Sequence, residues 1–167
     1  RKELWTKGHR NGQGLAYDAG RGVLWEHEHG PRGGDEINII EKGANYGWPL
    51  ASYGVDYSGA RITPYTEYSG TKQPFKYWTP SIGPSGLAVY RGTVFPADWD
   101  GDLLVGAMAE RSLHRVDLDG MTEAGEERYL VGERVRDVRV GPDGAIYVTT
   151  EGDGEPTGKV LRLTPAS

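Results

Sequence analysis

The sequence contains no cysteine and no long apolar run. The absence of cysteine excludes disulfide bonds and thiolate chemistry. It leaves the cellular compartment undecided, because many exported proteins also lack cysteine. No apolar run approaches the roughly 20 residues needed to span a bilayer, and no signal peptide is visible. A basic excess is also missing, since the net charge is −5, and nucleic acid is therefore not an expected partner.

The chain of 167 residues is long enough for one compact domain with a real core. It begins with Arg1 rather than Met, and we expect either a processed form or, preferably, a piece of a longer protein. Its 26 glycines are about twice the usual share of ~7% and are spread along the chain, which indicates many turns rather than disorder. Ten tyrosines and five tryptophans favour strands over helices.

Short strands bounded by Gly, Asp and Pro dominate the sequence, and no helical stripe extends beyond two turns. They recur in three copies of one pattern: strand, Asp/Gly turn, strand, loop, strand. The predicted strands are 13–17, 23–27, 36–40 and 75–78 in the first copy, 85–90, 102–105, 113–118 and 127–130 in the second, and 136–140, 145–148 and 158–163 in the third. Repeats of roughly 40–50 residues with four short strands predict an all-β chain of β-propeller blades, each a four-stranded antiparallel sheet.

The repeats delimit a single partial propeller domain over residues 1–167, with blades at 9–80, 81–132 and 133–167. The segment 41–74 is too long for an ordinary connection, and we expect an ordered insertion lying over one face. Three blades cannot close a ring, because propellers typically use four to eight. We therefore expect missing N-terminal blades, or a second copy, to cover the open edges.

A candidate cation site follows the second predicted strand. Gly30-Pro31 and Asp35-Glu36 come first, and the block 45–49 follows them. Carbonyls of an irregular loop together with one or two carboxylates are ligands that Ca²⁺ accepts. The alternative is a solvated acidic turn without a bound ion.

Arginines near both ends of the chain are candidates for binding an anion. Arg134 and Arg136 are two residues apart on one strand face, and guanidinium groups bind carboxylates in bidentate fashion. In a propeller the first strand of each blade lines the central axis, so the repeat pattern places Arg10-Asn11 and this pair at one mouth of one channel. The alternative is a pair of surface arginines bound to nearby glutamates. Those glutamates are Glu126, Glu127 and Glu133.

Two other patterns are interpreted as structural. His27 and His29 share a strand face and could form half of a zinc site, but a third protein ligand is needed, and hydrogen-bonded polar residues near a strand end are the preferred explanation. The run 98–102 begins like a calcium loop, but its Gly and its twelfth position do not fit an EF-hand, and we expect a hairpin turn. Neither a phosphate-binding loop nor a nucleophile elbow is present.

Five blocks of sequence carry a family resemblance. They read GHRNGQGLA at 8–16, EHGPRGGDEIN at 28–38, GANYGWP at 43–49, YWTPSIGPSG at 77–86 and RDVRVGPDG at 136–144. In this order they resemble the C-terminal half of the soluble glucose/sorbosone dehydrogenases, the pyrroloquinoline quinone (PQQ)-dependent aldose sugar dehydrogenases. The resemblance covers nearly the whole chain, and it implies a six-bladed propeller whose other half lies outside this chain.

The resemblance also implies roles for individual residues. Arg10 and Asn11 would contact the quinone, and Arg10 would act in catalysis by stabilising the developing oxyanion. Ser81 falls where the family places a small hydroxyl residue near the cofactor. Arg134 and Arg136 would neutralise the PQQ carboxylates.

The same resemblance implies two calcium ions and a sugar-facing wall. The carbonyls of Gly30 and Pro31 would face a Ca²⁺ that touches PQQ. Glu36 and the backbone of Tyr46 would hold a structural Ca²⁺. Trp78 is a candidate wall for the sugar or the cofactor plane.

The implied activity is that of a quinoprotein oxidoreductase that oxidises an aldose at C1 to a lactone, in the periplasm or as a secreted protein. The family's base histidine lies in the N-terminal half, so this piece alone is expected to be inactive. A family lysine near the cofactor falls at Ala109, and Gly12 is often proline in relatives. The alternative is a non-catalytic, calcium-stabilised propeller that binds a ligand or a protein. A hydrolase acting through its carboxylates has little support, because nothing places a carboxylate pair across a bond.

Overall fold

Residues 2–154 and 157–166, which the computed structural model describes, form eleven β-strands in three antiparallel sheets. The helical content of this part is one 3₁₀ turn at Ala97–Trp99. The chain divides into two compact units, a first unit of residues 1–84 and a second unit of residues 85–167. The prediction of an all-β chain of propeller blades with four-stranded antiparallel sheets is confirmed. No helix in the described ranges has the length and hydropathy of a membrane span.

The first unit contains one four-stranded sheet in the order β1-β2-β3-β4. Its strands are β1 Gly12–Asp18, β2 Val23–Glu28, β3 Asp35–Ile39 and β4 Lys76–Trp78. The β1–β2 turn is closed by the buried carboxylate of Asp18, which accepts hydrogen bonds from the backbone N–H groups of Gly20 (3.0 Å) and Arg21 (3.2 Å). Gly22 ends this turn at φ 71°, a conformation that glycine adopts without strain. The turn thereby brings β2 back along β1.

The long segment between β3 and β4 is anchored to the rest of the first unit. The Tyr46 hydroxyl donates to the Ile39 carbonyl (2.6 Å) and accepts from the backbone N–H of Glu41 (2.8 Å). Further along, the ring of Tyr53 stacks on Tyr77 with 3.8 Å between ring centroids. These contacts make the insertion an ordered structure that holds its residues against the sheet.

The second unit contains a four-stranded and a three-stranded sheet, in the orders β5-β6-β7-β8 and β11-β10-β9. The strands are β5 Pro84–Val89, β6 Leu103–Ala107, β7 Ser112–Asp119, β8 Thr122–Leu130, β9 Arg134–Val140, β10 Ile146–Glu151 and β11 Lys159–Leu163. The strand predicted at 127–130 was too short. Gly120, at φ 61°, makes a tight turn, so the chain pairs with β7 from Thr122 onward. In the part of the chain that is described, the third sheet has three strands, as the sequence indicates.

An apolar cluster joins the strands of the second unit. Its largest buried members are Tyr90, Trp99, Leu104, Leu113 and Ile146. The run 98–102 is a turn beside this cluster. Its Asp102 is buried and accepts hydrogen bonds from Arg115 Nε (2.6 Å) and the Leu118 N–H (3.0 Å), which fits the predicted structural interpretation.

Candidate functional site

Five of the residues singled out in the sequence line one pocket in the first unit. They are Arg10, Gly30, Pro31, Glu36 and Tyr46. The other residues of the lining are Glu28, His29, Gly34, Trp48, Ala51 and Ser52. The pocket therefore combines a guanidinium group, two carboxylates, an indole ring and the irregular backbone of the loop that follows β2.

Arg10 is held by the loop that follows β2. Its Nη1 donates to the carbonyl oxygens of His29 (3.1 Å) and Gly30 (2.9 Å). The guanidinium carbon lies 5.3 Å from the centroid of the Trp48 ring, within the range of a cation–π contact. Within the described residues these bonds occupy Nη1 alone, so the N–H groups of Nε and Nη2 are available to a ligand.

Glu28 fixes the backbone ahead of β1. Its Oε2 accepts hydrogen bonds from the backbone N–H groups of both Arg10 and Asn11, the second at 2.9 Å. The Asn11 carbonyl in turn accepts from the His29 N–H (3.0 Å), and its side-chain oxygen accepts from Gln13 Nε2 (2.9 Å). The Asn11 side chain is exposed, while Glu28 is buried beneath the turn that it holds.

Asp35 organises the loop that precedes β3. It is fully buried, with Oδ1 accepting from the Gly30 N–H (2.9 Å) and Oδ2 accepting from the Ser81 hydroxyl (2.5 Å) and the Gly83 N–H (3.0 Å). The Ser81 hydroxyl is thus engaged with Asp35 and lies outside the pocket lining. Gly30 is required here, because a Cβ atom would overlap the carbonyl oxygens of Gly33 and Gly34.

The pocket has a donor set that suits Ca²⁺. The Gly30 carbonyl accepts one bond from Arg10, and a carbonyl oxygen has a second lone pair. Burial, and then repulsion by Glu28, raise the pKa of Glu36 to about 8. Glu36 and Tyr46 line the same pocket, so the residues present fit the implied group by the chemistry of their oxygen atoms.

A second cluster lies beside the pocket, and the sequence analysis missed it. His9 Nδ1 lies 3.6 Å from Glu26 Oε2 and 3.5 Å from Glu28 Oε1. The interaction with Glu28 raises the pKa of His9, and burial raises that of Glu26 to about 7. The signal in the sequence was the alternation of the two glutamates on β2, which places them on one face.

His27, on β2, and His29, directly after that strand, have other surroundings. His27 is fully buried, and His29 Nε2 lies 2.5 Å from the Pro84 carbonyl oxygen. In the described ranges, neither belongs to a group of three or more potential metal ligands. The alternative of a zinc half-site therefore gains no support, and hydrogen bonding accounts for His29.

Arg134 and Arg136 lie on β9 in the second unit, exposed on either side of the buried Val135. Arg136 Nε donates to Glu151 Oε2 (2.5 Å), so its partner is none of the three glutamates that the sequence suggested. Its Nη1 also lies 2.9 Å from Met108 Sδ. Arg10 belongs to the first unit, and the convergence of the three arginines on one ligand stays a prediction.

Two further positions bear on the predicted site. Ala109, where the resemblance places a lysine, is exposed and adjoins Met108, the residue that contacts Arg136. Trp78 is almost fully buried, and its ring lies 5.3 Å from Lys76 Nζ. Trp48, rather than Trp78, lines the pocket.

Comparison with known proteins identifies the family. A family model described as Glucose / Sorbosone dehydrogenase matches residues 1–162. The chain belongs to the glucose/sorbosone dehydrogenase family. It is 44% identical over 169 residues to the aldose sugar dehydrogenase YliI of Escherichia coli K12, a match that covers 99% of this chain and 44% of that protein. It is 48% identical over 63 residues to quinoprotein glucose dehydrogenase B of Acinetobacter calcoaceticus, covering 38% of this chain and 13% of that one.

Solved structures of glucose/sorbosone dehydrogenases resemble the chain in fold. A crystal structure of a glucose dehydrogenase matches with a TM-score of 0.93 and 49% identity, over 99% of this chain and 48% of that one. The apo form of the soluble aldose sugar dehydrogenase of E. coli matches with a TM-score of 0.90 and 44% identity, over 99% of this chain and 48% of that one. The PQQ-bound aldose sugar dehydrogenase of Streptomyces coelicolor matches with a TM-score of 0.72 and 29% identity, over 96% of this chain and 45% of that one. The chain thus spans less than half the length of these relatives.

Proposed function

We propose that this chain is the C-terminal part of a PQQ- and calcium-dependent aldose sugar dehydrogenase, which oxidises sugars at C1 to lactones. The observation that carries the proposal is the single pocket lined by Arg10, Gly30, Pro31, Glu36 and Tyr46. A relative with 29% identity was solved with PQQ bound, and the E. coli relative is named an aldose sugar dehydrogenase. Family membership and pocket chemistry therefore support the same activity.

Arg10 is proposed as the catalytic residue of this chain. Bound PQQ would supply the acceptor for the hydride that leaves C1 of the sugar. Arg10 would stabilise the negative oxygen that develops, through the N–H groups of Nε and Nη2. Its other nitrogen is already fixed on two carbonyls, so the guanidinium is oriented before a ligand arrives, and preorganised donors of this kind contribute strongly to catalysis.

The calcium ligands are proposed from the same pocket. The carbonyls of Gly30 and Pro31 would hold a Ca²⁺ next to the cofactor, and Glu36 with the Tyr46 carbonyl would hold a structural Ca²⁺. Two cations would offset the negative charge of Glu28 and Glu36, which burial makes unfavourable. The Asp35 carboxylate would keep the Gly30 loop in the shape that presents its carbonyl.

Three more residues are proposed to bind PQQ directly, and Ser81 is proposed to act beside it. Asn11 presents an exposed amide beside Arg10, and Arg134 and Arg136 would bind carboxylates of the cofactor. For Arg136 this means sharing its guanidinium between Glu151 and the ligand. The Ser81 hydroxyl now binds Asp35, so its contribution would be to hold the loop next to the cofactor.

The base that removes the proton from the sugar is proposed to lie outside this chain. Of the four histidines of the chain, His27 is fully buried and the other three have other neighbours. His9 faces two glutamates, His29 the Pro84 carbonyl, and His114 both Ser112 (3.1 Å) and Glu126 (2.7 Å). Turnover would therefore need the N-terminal blades, which would also cover the open edges of the sheets. The site of action is proposed to be the periplasm or the exterior.

The test is reconstitution of the complete protein with PQQ and Ca²⁺, followed by an assay of aldose oxidation with an artificial electron acceptor. We expect oxidation that requires both additions. A correctly folded, cofactor-loaded protein that oxidises no aldose would refute the proposed activity.

A non-catalytic calcium-stabilised propeller is the second candidate, and Ala109 favours it. A lysine at that exposed position would add a cation near Arg136, and alanine removes it. This candidate predicts that no quinone absorbance stays with the protein after gel filtration. Retained absorbance would exclude it.

A further inference from the structure

The cluster of His9, Glu26 and Glu28 could hold a metal ion, and the proposed oxidation gives these residues no role. One potential ligand atom from each residue lies within 4.8 Å of the other two. The two glutamates are only 6% and 4% exposed. Carboxylates buried at this separation are unfavourable unless protons or a cation neutralise them.

His9 is oriented as a metal-binding histidine would be. Its Nε2 lies 3.0 Å from Thr6 Oγ1, and its ring stacks on Tyr46 with 4.6 Å between ring centroids. When Nε2 donates its proton to Thr6, the lone pair of Nδ1 faces Glu26 and Glu28. Metal-bound histidines typically donate their other ring N–H to an oxygen in this way.

Unsatisfied polar atoms around the cluster are the second observation. Among the residues that the structure describes, His9 Nδ1 and Glu26 Oε1 are buried without a hydrogen-bond partner, and so is Oδ1 of the fully buried Asn38. Asn38 Nδ2 donates to Glu26 Oε2 (3.2 Å), which places this amide directly beside the cluster. Buried polar atoms are normally satisfied, so an ion or water is expected to complete this set.

Gly12 leaves the space that Glu26 occupies. A Cβ atom at this position would come within 2.9 Å of Glu26 Oε1. A larger side chain at this position would therefore press on this carboxylate.

We propose that His9, Glu26 and Glu28 bind one divalent transition-metal ion of the Zn²⁺ type, separate from the calcium proposed at Glu36 and Tyr46. One imidazole nitrogen with two carboxylates is a ligand set that Zn²⁺ accepts, whereas Ca²⁺ takes oxygen ligands. The set leaves a fourth position open for water. The proposal needs no quinone and stands apart from the proposed oxidation.

The ion would stabilise the turn that carries Arg10. Glu28 offers Oε1 to the cluster while its Oε2 accepts from the backbone N–H groups of Arg10 and Asn11. A metal ion on Oε1 would restrain the carboxylate and hence the two residues above it. A protonated His9 that merely pairs with the glutamates is the competing explanation, and it requires no metal.

The experiment titrates chelator-treated, complete protein with Zn²⁺ by calorimetry and measures the metal content of the same samples. We expect one tight zinc site, with Glu26→Gln and His9→Gln each weakening zinc binding by more than about 100-fold. The exposed Glu41→Gln is the matched control and should retain the site. Glu28→Gln is not used, because it also removes the anchor of the backbone.

A spectroscopic measurement separates a ligand from a structural neighbour. Co²⁺ in place of Zn²⁺ should give visible absorption that His9→Gln abolishes and Glu41→Gln preserves. Zinc binding unchanged in both His9→Gln and Glu26→Gln would overturn the proposal. So would the absence of zinc binding by the folded protein, or a divalent-cation site that only Glu36→Gln removes.

Discussion

At the scale of single residues, Asp35 holds separate segments of the first unit together. It is fully buried and accepts hydrogen bonds from Gly30, Ser81 and Gly83. We predict that Asp35→Asn lowers the free energy of unfolding by about 2–3 kcal/mol, since hydrogen bonds to a charged acceptor are lost. Urea denaturation measures this, with Asp119→Asn on an exposed strand end as the control. An equal effect of both substitutions would contradict the assigned role.

The buried glutamates predict a pH dependence of the metal-free protein. Burial raises the pKa of Glu26 to about 7 and that of Glu36 to about 8, from an ordinary value of 4.5. Between pH 4.5 and about pH 8 the folded state binds more protons than the unfolded state. The free energy of unfolding is therefore greatest at acidic pH and falls as the pH rises.

We therefore expect the free energy of unfolding in chelator to decline between pH 5 and pH 8 and then to level off, by an amount on the order of a few kcal/mol. Glu26→Gln should make the decline shallower. Saturating divalent cation should flatten it further, because a cation binds the deprotonated carboxylates. A profile that rises over this range would show that the carboxylates are already neutralised by other groups.

At the scale of elements, the loop between β2 and β3 depends on close backbone approach. Gly30 has no room for a Cβ, and Gly34 adopts φ 70° against the backbone of Tyr53 and Gly54. We predict that Gly30→Ala weakens binding of Ca²⁺ and PQQ at least tenfold in equilibrium dialysis. The added methyl group would displace the carbonyl of Gly34, which lines the pocket. Gly125→Ala on β8 meets no atom within 4 Å and should bind both normally. Comparable losses in the two variants would reject this explanation.

Most strands could be predicted because the residues at their ends form recognisable turns. Asp/Gly turns such as the one closed by Asp18 mark where β1 ends and β2 begins, whatever the rest of the chain does. The start of β8 could not be found in this way, since Thr122 and Glu123 become strand only by pairing with β7. Polar residues on an edge strand have no apolar alternation for the sequence to display.

The pocket was partly predictable, and its supports were not. Arg10 and Gly30 stand out in glycine-rich blocks, but Glu28 reads as an ordinary polar strand residue until the chain folds the turn ahead of β1 over it. The partner of Arg136 was also missed, because Glu151 is brought beside it by the pairing of β9 with β10 rather than by distance along the chain.

At the scale of the whole molecule, exposed apolar side chains predict how the chain behaves alone. Leu15 and Tyr17 on β1 are 65% and 66% exposed, and Trp5 ahead of them is also exposed. Apolar surface of this kind marks an interaction face. We predict that the isolated chain binds a hydrophobic dye and self-associates in light scattering, and that it oxidises no aldose. Leu15→Ser combined with Tyr17→Ser should reduce both dye binding and association; a monodisperse, dye-free parent chain would contradict this.

The single carboxylate of Asp35 also couples two stretches of backbone that lie far apart in sequence. It holds the amide of residue 30 with one oxygen and the amide of residue 83 with the other. A displacement of the first stretch is therefore transmitted to the second, so the Gly30 loop of the pocket moves together with residue 83. Amide hydrogen exchange at Gly30 and Gly83 should accordingly slow down together when a ligand tightens either one.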